Sequence, residues 1–222
     1  MRKRAPQLLR DTSLDGRSAP ASENATKTAD VLGVCSVAAT IQGTAPLLLH
    51  RYDVRAVAHK TSLPKGSLQR KTDDLESYLY RDERGLIGFP GTNIKRCLVQ
   101  AGRYFDDPRS SGRRKQATEL LSATLLIDPD MPLLKVDGLP IEAAEFTDCR
   151  RVVIQRQAAA RERPGFRAGW RLSFHVTSLD ARYVPTTLIR DLLSYAGRFI
   201  GIGDYRPDFG RFQVVSAEED VR

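Results

Sequence analysis

Two stretches of helical periodicity, each leading towards a segment of alternating apolar and polar residues, limit the folds open to this chain. Val31, Gly33, Cys35, Val37, Ala39 and Ile41 alternate with Leu32, Val34, Ser36, Ala38, Thr40 and Gln42, the period of a buried strand, and Gly43 ends it. Pro90-Gly91 reads as a turn before the first helix, which Thr92 or Asn93 would cap. Ile94, Leu98, Ala101 and Phe105 fall on its inner face and leave Lys95, Arg96 and Arg103 outside. Leu121, Ala123, Leu125 and Ile127 alternate as a second strand, and residues 128–144, with Pro129, Pro132 and Pro140, read as an irregular excursion. Two further strands, about Arg150–Arg156 and Trp170–Thr177, flank an arginine-rich tip and make a long β-hairpin. The last helix is expected from Thr186 to Phe199, with Leu188, Leu192, Ala196 and Phe199 inward. Phe212 and Val214 then mark a final strand.

This order, βαββαβ, predicts an α+β fold with a ferredoxin-like (RRM-like) core, two helices covering one face of an antiparallel sheet. The other face would be open to single-stranded RNA. A long insertion, residues 44–88, follows the first strand. It holds an apolar knot (Pro46 to Leu49), a basic and polar stretch from His50 to Lys71, and a short helical candidate at Asp73–Leu79. So long a connection is usually functional or mobile. Residues 1–29 have few large apolar groups and read as a flexible basic arm; 30–217 form the domain, the hairpin taking 150–177, and 218–222 a tail.

At 222 residues the chain can bury a sizeable core. Its formal charge of +8 and pI near 9.6 direct it towards polyanions, RNA or DNA before others. Cys35, Cys97 and Cys149 are too scattered for a zinc site or a disulfide framework and fit a reducing compartment. No apolar run is long enough for a bilayer, and Met1-Arg2-Lys3-Arg4 lacks the apolar segment of a signal peptide. The expected protein is cytoplasmic, without a metal, a cofactor or a membrane partner.

The loop Gly201 to Arg211 is the first candidate contact. Gly201, Gly203 and Gly210 would let a phosphate approach the backbone, Arg206 and Arg211 would pair with it, and Tyr205 and Phe209 could stack on bases. The competing reading has the glycines merely turning the chain and the two aromatics plugging a core. Around the hairpin, Arg156, Arg161, Arg163, Arg167 and Arg171 oppose a lone Glu162, and the guanidinium fork suits phosphate. Lys60, Lys65, Arg70 and Lys71 in the insertion, and Arg113 and Arg114 in the basic loop Arg109–Lys115, complete the candidate binding set. His50, His59 and His175 are scattered and no nucleophile or metal motif accompanies them, so no catalytic residue is assigned.

Gly88-Phe89-Pro90-Gly91-Thr92-Asn93-Ile94-Lys95 at the start of the first helix resembles the proline-glycine-hydroxyl-lysine signature of the CRISPR-associated RAMP proteins. The loop before the last strand is similar to their G-loop. The resemblance covers about Val31 to Val215 and is nearest the crRNA-binding backbone subunits. It departs from the usual G-loop in placing Asp204, Tyr205, Arg206 and Pro207 between glycines, so an autonomous or phage-encoded relative fits equally. The resemblance implies a non-enzymatic binder of single-stranded nucleic acid, RNA before DNA, with insertion and hairpin gripping the strand between copies that line up as a homo-oligomer. It also implies a competitor, a metal-independent endoribonuclease using His50 or His59, and in some relatives a catalytic aspartate where Asp53, Asp73 and Asp74 stand. A structural subunit docking on an acidic protein is the third alternative.

Overall fold

The four strands of the central sheet belong to four distant parts of the chain. This computed structural model describes residues 33–154 and 157–220, without the side chains of Lys71 and of residues 153–159. In chain order the described elements are β1 (Cys35–Gly43), β2 (Leu47–Leu48), α1 (Val54–Ser62), α2 (Leu68–Lys71), β3 (Tyr80–Arg81), β4 (Ile87–Pro90), α3 (Gly91–Ala101), α4 (Thr118–Thr124), β5 (Leu125–Ile127), β6 (Asp130–Pro132), β7 (Phe146–Ile154), β8 (Gln157–Phe166), β9 (Arg171–Ser178), α5 (Thr186–Phe199) and β10 (Phe212–Glu219). The central sheet runs β10-β1-β9-β5, every neighbouring pair antiparallel. The fold is α+β. None of the described helices is long and apolar enough to cross a membrane.

Alternation sets which sheet face is dry. Val37, Ala39 and Ile41 of β1 and Leu172, Phe174 and Val176 of β9 are buried, with Ile94, Cys97, Leu98 and Ala101 of α3 and Ile189, Leu192, Leu193 and Ala196 of α5 in the same core. Each Val, Leu, Ile or Phe among them withdrawn from water contributes about 1.5–3 kcal/mol before the entropy of ordering is set against it. Gly43 ends β1 for a packing reason: a Cβ there would lie 2.2 Å from the Trp170 indole, whose Nε1 donates to the Ala45 carbonyl at 2.9 Å.

Two small sheets extend this core, β2-β8-β7 and β3-β4-β6. The insertion is therefore tied down at both ends, through β2 on β8 and β4 on β6, and contains α1, α2 and a 3₁₀ turn at Glu76–Tyr78 where the sequence predicts a helix.

Several boundaries differ from expectation. Pro90 occupies the N-cap position of α3, and no side chain caps the helix, so neither Thr92 nor Asn93 does. Residues 118–124 are helix and only Leu125–Ile127 is strand. Ala117, Leu120 and Leu121 are buried at helical spacing while Ala123 is exposed, so the helical period prevails. Leu188 is only half-buried and Phe199 is 53% exposed, because α5 turns Ile189 and Leu193 inward instead. Strand β10 continues to Glu219, so the expected tail at 218 begins inside it. The arm, 1–29, and Arg156 lie outside the described residues.

The hairpin is the largest correction. Its strands are β7 and β8, paired from Phe146↔Gly165 to Ile154↔Gln157, and β9 belongs to the central sheet. Pro164-Gly165 has the composition of a turn, yet it sits within β8. Gly165 makes room for Phe146, whose ring a Cβ would approach to 2.4 Å, and the Pro164 carbonyl accepts from the Leu49 N–H at 3.1 Å. Arg161 and Arg163 are thus strand residues opposite Arg150 and Asp148.

Candidate nucleic-acid interface

Helix α3 begins hard against the segment after β5. A Cβ on Gly91 would lie 1.8 Å from the Asp128 carbonyl oxygen, and the Gly91 N–H donates to the Pro129 carbonyl at 2.7 Å. With Ile94, Cys97, Leu98 and Ala101 buried, Thr92, Lys95, Arg96, Val99, Gln100 and Arg103 form the opposite stripe at helical spacing. Gly102 then lets α4 close in, since a Cβ there would meet the Leu121 side chain at 2.5 Å. Gln116, Thr118 and Ser122 supply the second wall of an open groove of about 600 Å³. Among the described residues no carboxylate lines it. Arg96 and Arg103 are exposed and Lys95 half-buried, and none of the three has a hydrogen-bond or ion-pair partner among the described residues.

The hairpin arginines are placed quite differently. Arg163 is 7% exposed, and its Nε donates to the Asp204 carboxylate of the glycine loop. Its Nη1 is buried without a hydrogen-bond partner among the described residues, and the guanidinium carbon lies 4.4 Å from the Tyr205 ring centroid. Arg161 Nη1 reaches Asp73 Oδ1 at 3.1 Å. The same carboxylate accepts from Lys60 Nζ at 2.7 Å, from the Tyr78 hydroxyl at 2.9 Å and from the Glu162 N–H at 3.0 Å. Arg150, bound to Asp148 at 2.7 Å, lies over the rings of Tyr205 and Phe209 at 5.3 and 4.7 Å. These cations are neutralised inside the molecule, and both loop aromatics are engaged by arginines.

The carboxyl groups respond as their partners require. The His50 imidazole beside it, joined by the Arg163 guanidinium, holds the Asp204 carboxyl far below the ordinary carboxylate range against the opposing effect of burial. Burial works against the Asp73 carboxylate too, but the hydrogen bonds from Lys60, the Glu162 N–H and Tyr78 together outweigh it and keep its pKa lowered. Both are acceptors fixed in their ionised form.

Glycines of the loop serve the fold. Gly201, Gly203 and Gly210 have φ of 75°, 77° and 72°. A Cβ on Gly210 would lie 1.7 Å from the Ile202 carbonyl oxygen, and one on Gly203 2.6 Å from that of Leu48. The close approach expected from a ligand is made by the chain itself: the Ile202 N–H donates to Gly210, Gly210 to Pro46 and Asp204 to Leu48. Arg206 and Arg211 stay exposed, Arg211 donating to the Pro207 carbonyl at 2.8 Å.

Of the remaining candidates, Lys65, Arg113 and Arg167 are exposed. Arg70 donates to the Leu63 carbonyl at 2.9 Å, and Arg114 pairs with Asp106 at 2.6 Å. The Lys71 side chain and Arg156 lie outside the described residues. Lys95, Arg96 and Arg103 are brought together in one groove, while Lys60, Arg70 and Arg161 line another cavity, which Asp53, Asp73 and Asp74 line as well. Sequence reasoning missed Gln100, Gln116, Thr118 and Ser122 there; helical spacing from Lys95 and Arg96 reaches Gln100, but nothing local signals the three residues at and within α4.

The open sheet face offers little grip for a base. Ser36 bonds Thr177 at 3.2 Å, Thr40 bonds Ser173 at 3.0 Å, and Arg171 donates to Gln42. His175 Nδ1 lies 3.0 Å from Asp128, with Asp220 at 3.7 Å from its other nitrogen. No Phe, Tyr or Trp lies among them, and the one ring that does, His175, is held against Asp128, so the sheet-face binding expected of an RRM-like core has little to stack on.

A larger cavity, about 1010 Å³, lies among α1, α2, the 3₁₀ turn and Arg161. His50 and His59 both line it; His50 Nδ1 is 3.6 Å from Asp204, and its ring meets Tyr78 edge-on at 4.5 Å. Asp53 caps α1 by accepting from the Arg55 and Ala56 N–H groups, which gives that carboxylate a structural task.

No family model matches the sequence, and no curated protein matches it. Among solved structures, one with some similarity is a chain of the Type III-B Cmr-beta complex bound to cognate target RNA, determined by cryo-EM. The match is 11% identical with a TM-score of 0.49, and it covers 85% of this chain and 61% of the other.

Proposed function

We propose that this protein binds single-stranded nucleic acid, RNA in preference to DNA, without cleaving it, and that the α3–α4 groove holds the phosphates. The carrying observation is the groove's composition: Lys95, Arg96 and Arg103 line it with no carboxylate, whereas Lys60, Arg161 and Arg163 each face one. Hydroxyls and amides of Thr92, Gln100, Gln116, Thr118 and Ser122 both donate and accept, as recognition of a ribose 2′-OH requires. The sheet order, last core strand beside the first, then third, then second, supports the ferredoxin-like reading. The signature-like Pro90 to Lys95 segment opens the groove helix, in keeping with a RAMP-type core. Copies assembling side by side along the strand belong to the same proposal. Anisotropy of labelled RNA and DNA 12-mers of one sequence tests it. Salt-sensitive binding with RNA ahead is the expected result, and no binding to either at low salt would refute it. Mass growing stepwise with oligonucleotide length would support assembly.

A second reading, metal-independent RNA cleavage, draws on His50 and His59 lining one cavity with Lys60. Product on a denaturing gel that disappears in His50→Ala would favour it.

A further inference from the structure

The groove's last cation and the first ring of an exposed aromatic cluster are consecutive residues. Arg103 and Tyr104 share the 3₁₀ turn Gly102–Tyr104 that follows α3. Tyr104 is 65% exposed and its ring lies 4.9 Å from that of Tyr195 on α5. Tyr195 in turn lies 4.7 Å from Phe199, one turn further along the helix and 53% exposed. Phe105, half-buried, adds a fourth ring, edge-on to Tyr195 with the two centroids 5.7 Å apart. A core would hide these rings, yet the two outer ones keep more than half their surface in water. Arg198 is exposed beside Phe199. Of the nearby acids, Asp106 is paired with Arg114 at 2.6 Å and Asp191 is exposed one turn before Tyr195.

Cations that follow phosphates, running into rings on which any base can stack, are how sequence-tolerant binders hold a single strand. The described sheet face offers only the His175 ring, held against Asp128, and Tyr205 and Phe209 already have arginines over their rings. We propose that Tyr104, Tyr195 and Phe199 form a base-stacking platform continuing the α3–α4 groove, so that a strand anchored on Lys95, Arg96 and Arg103 lays its neighbouring bases on these rings. This rests on the function proposed above and adds where the bases go.

The test uses the full chain, a labelled 12-nucleotide RNA, and the same RNA with abasic sites throughout. Tyr104→Ala and Phe199→Ala change exposed side chains, and circular dichroism melting confirms that each variant is folded. Each is expected to weaken binding of the intact RNA by roughly five- to 150-fold, with the salt slope unchanged, and to leave abasic RNA unaffected. Tyr104→Trp is expected to retain affinity. If the wild type binds intact and abasic RNA equally, or both alanine variants bind as wild type does, the platform is overturned while the groove reading stands. Oligonucleotide binding that survives in the alanine variants would leave the cluster as a surface for a protein. If the wild type binds no oligonucleotide, both readings fail together.

Discussion

Arg163 and Arg96 carry the same guanidinium, yet one is 7% exposed against Asp204 and the other stands exposed in a groove without a carboxylate. The hairpin has the denser run of arginines and the greater apparent claim on phosphate. Two of its arginines are answered within the fold, because the insertion delivers Asp73 to Arg161 and the glycine loop delivers Asp204 to Arg163. Helix α3 has fewer cations, but the segment beside it turns only Gln116, Thr118 and Ser122 into the groove, an amide and two hydroxyls, while Glu119 of α4 does not line it. Charge density along the chain therefore says less about a polyanion site than which acids the fold folds back against it.

The largest expected effect is structural. Gly210→Ala places a methyl against the Ile202 carbonyl at a φ only glycine adopts readily, and it is expected to cost about 4 kcal/mol or more, read as a collapse of Tm or soluble yield. A variant that melts normally but loses RNA would return the loop to the binding surface. Next, Asp73→Asn and Asp204→Asn should each destabilise by about 2 kcal/mol, less than a fully buried pair would, since Lys60, Arg161 and Asp204 remain about a third exposed. Both carboxyls have lowered folded pKa values, so their contribution is complete above about pH 4, the unfolded value, and is lost as pH falls through the folded values. Melting from pH 6 to 2 should accordingly be flatter in the double variant; identical curves would break the contrast between paired and unpaired cations. The smallest change is Gln116→Glu, which gives the groove the carboxylate that the hairpin has. Binding should weaken several-fold and the salt slope lose about 0.7, with stability within about 0.5 kcal/mol.

Local periodicity made α3 and α5 legible. The limits of α5 and the inner face Ile94, Leu98 and Ala101 of α3 can be read from spacing alone. The hairpin misled because Pro164-Gly165 has a turn's composition, and only the ring of Phe146 explains a glycine within that strand. The ion pairs were hidden for a different reason. Arg163 and Asp204 are 41 residues apart and Arg161 and Asp73 are 88 apart, so no local pattern joins them. Lys95, Arg96 and Arg103 were legible as an outer helical stripe; the wall of Gln116, Thr118 and Ser122 was not, because Leu121 to Ile127 reads as a strand and hides helix α4.

The salt dependence of binding to a single-stranded RNA, measured side by side for two triple variants, tests the central claim most directly. Replacing Lys95, Arg96 and Arg103 with Ala is expected to reduce the log–log slope by about 2, as three lost phosphate contacts require. Replacing Arg161, Arg163 and Arg167 with Ala is expected to lower Tm and to leave the slope of the remaining folded protein where it was. The opposite pattern, a flattened slope from the hairpin variant and an unchanged one from the groove variant, would contradict the account.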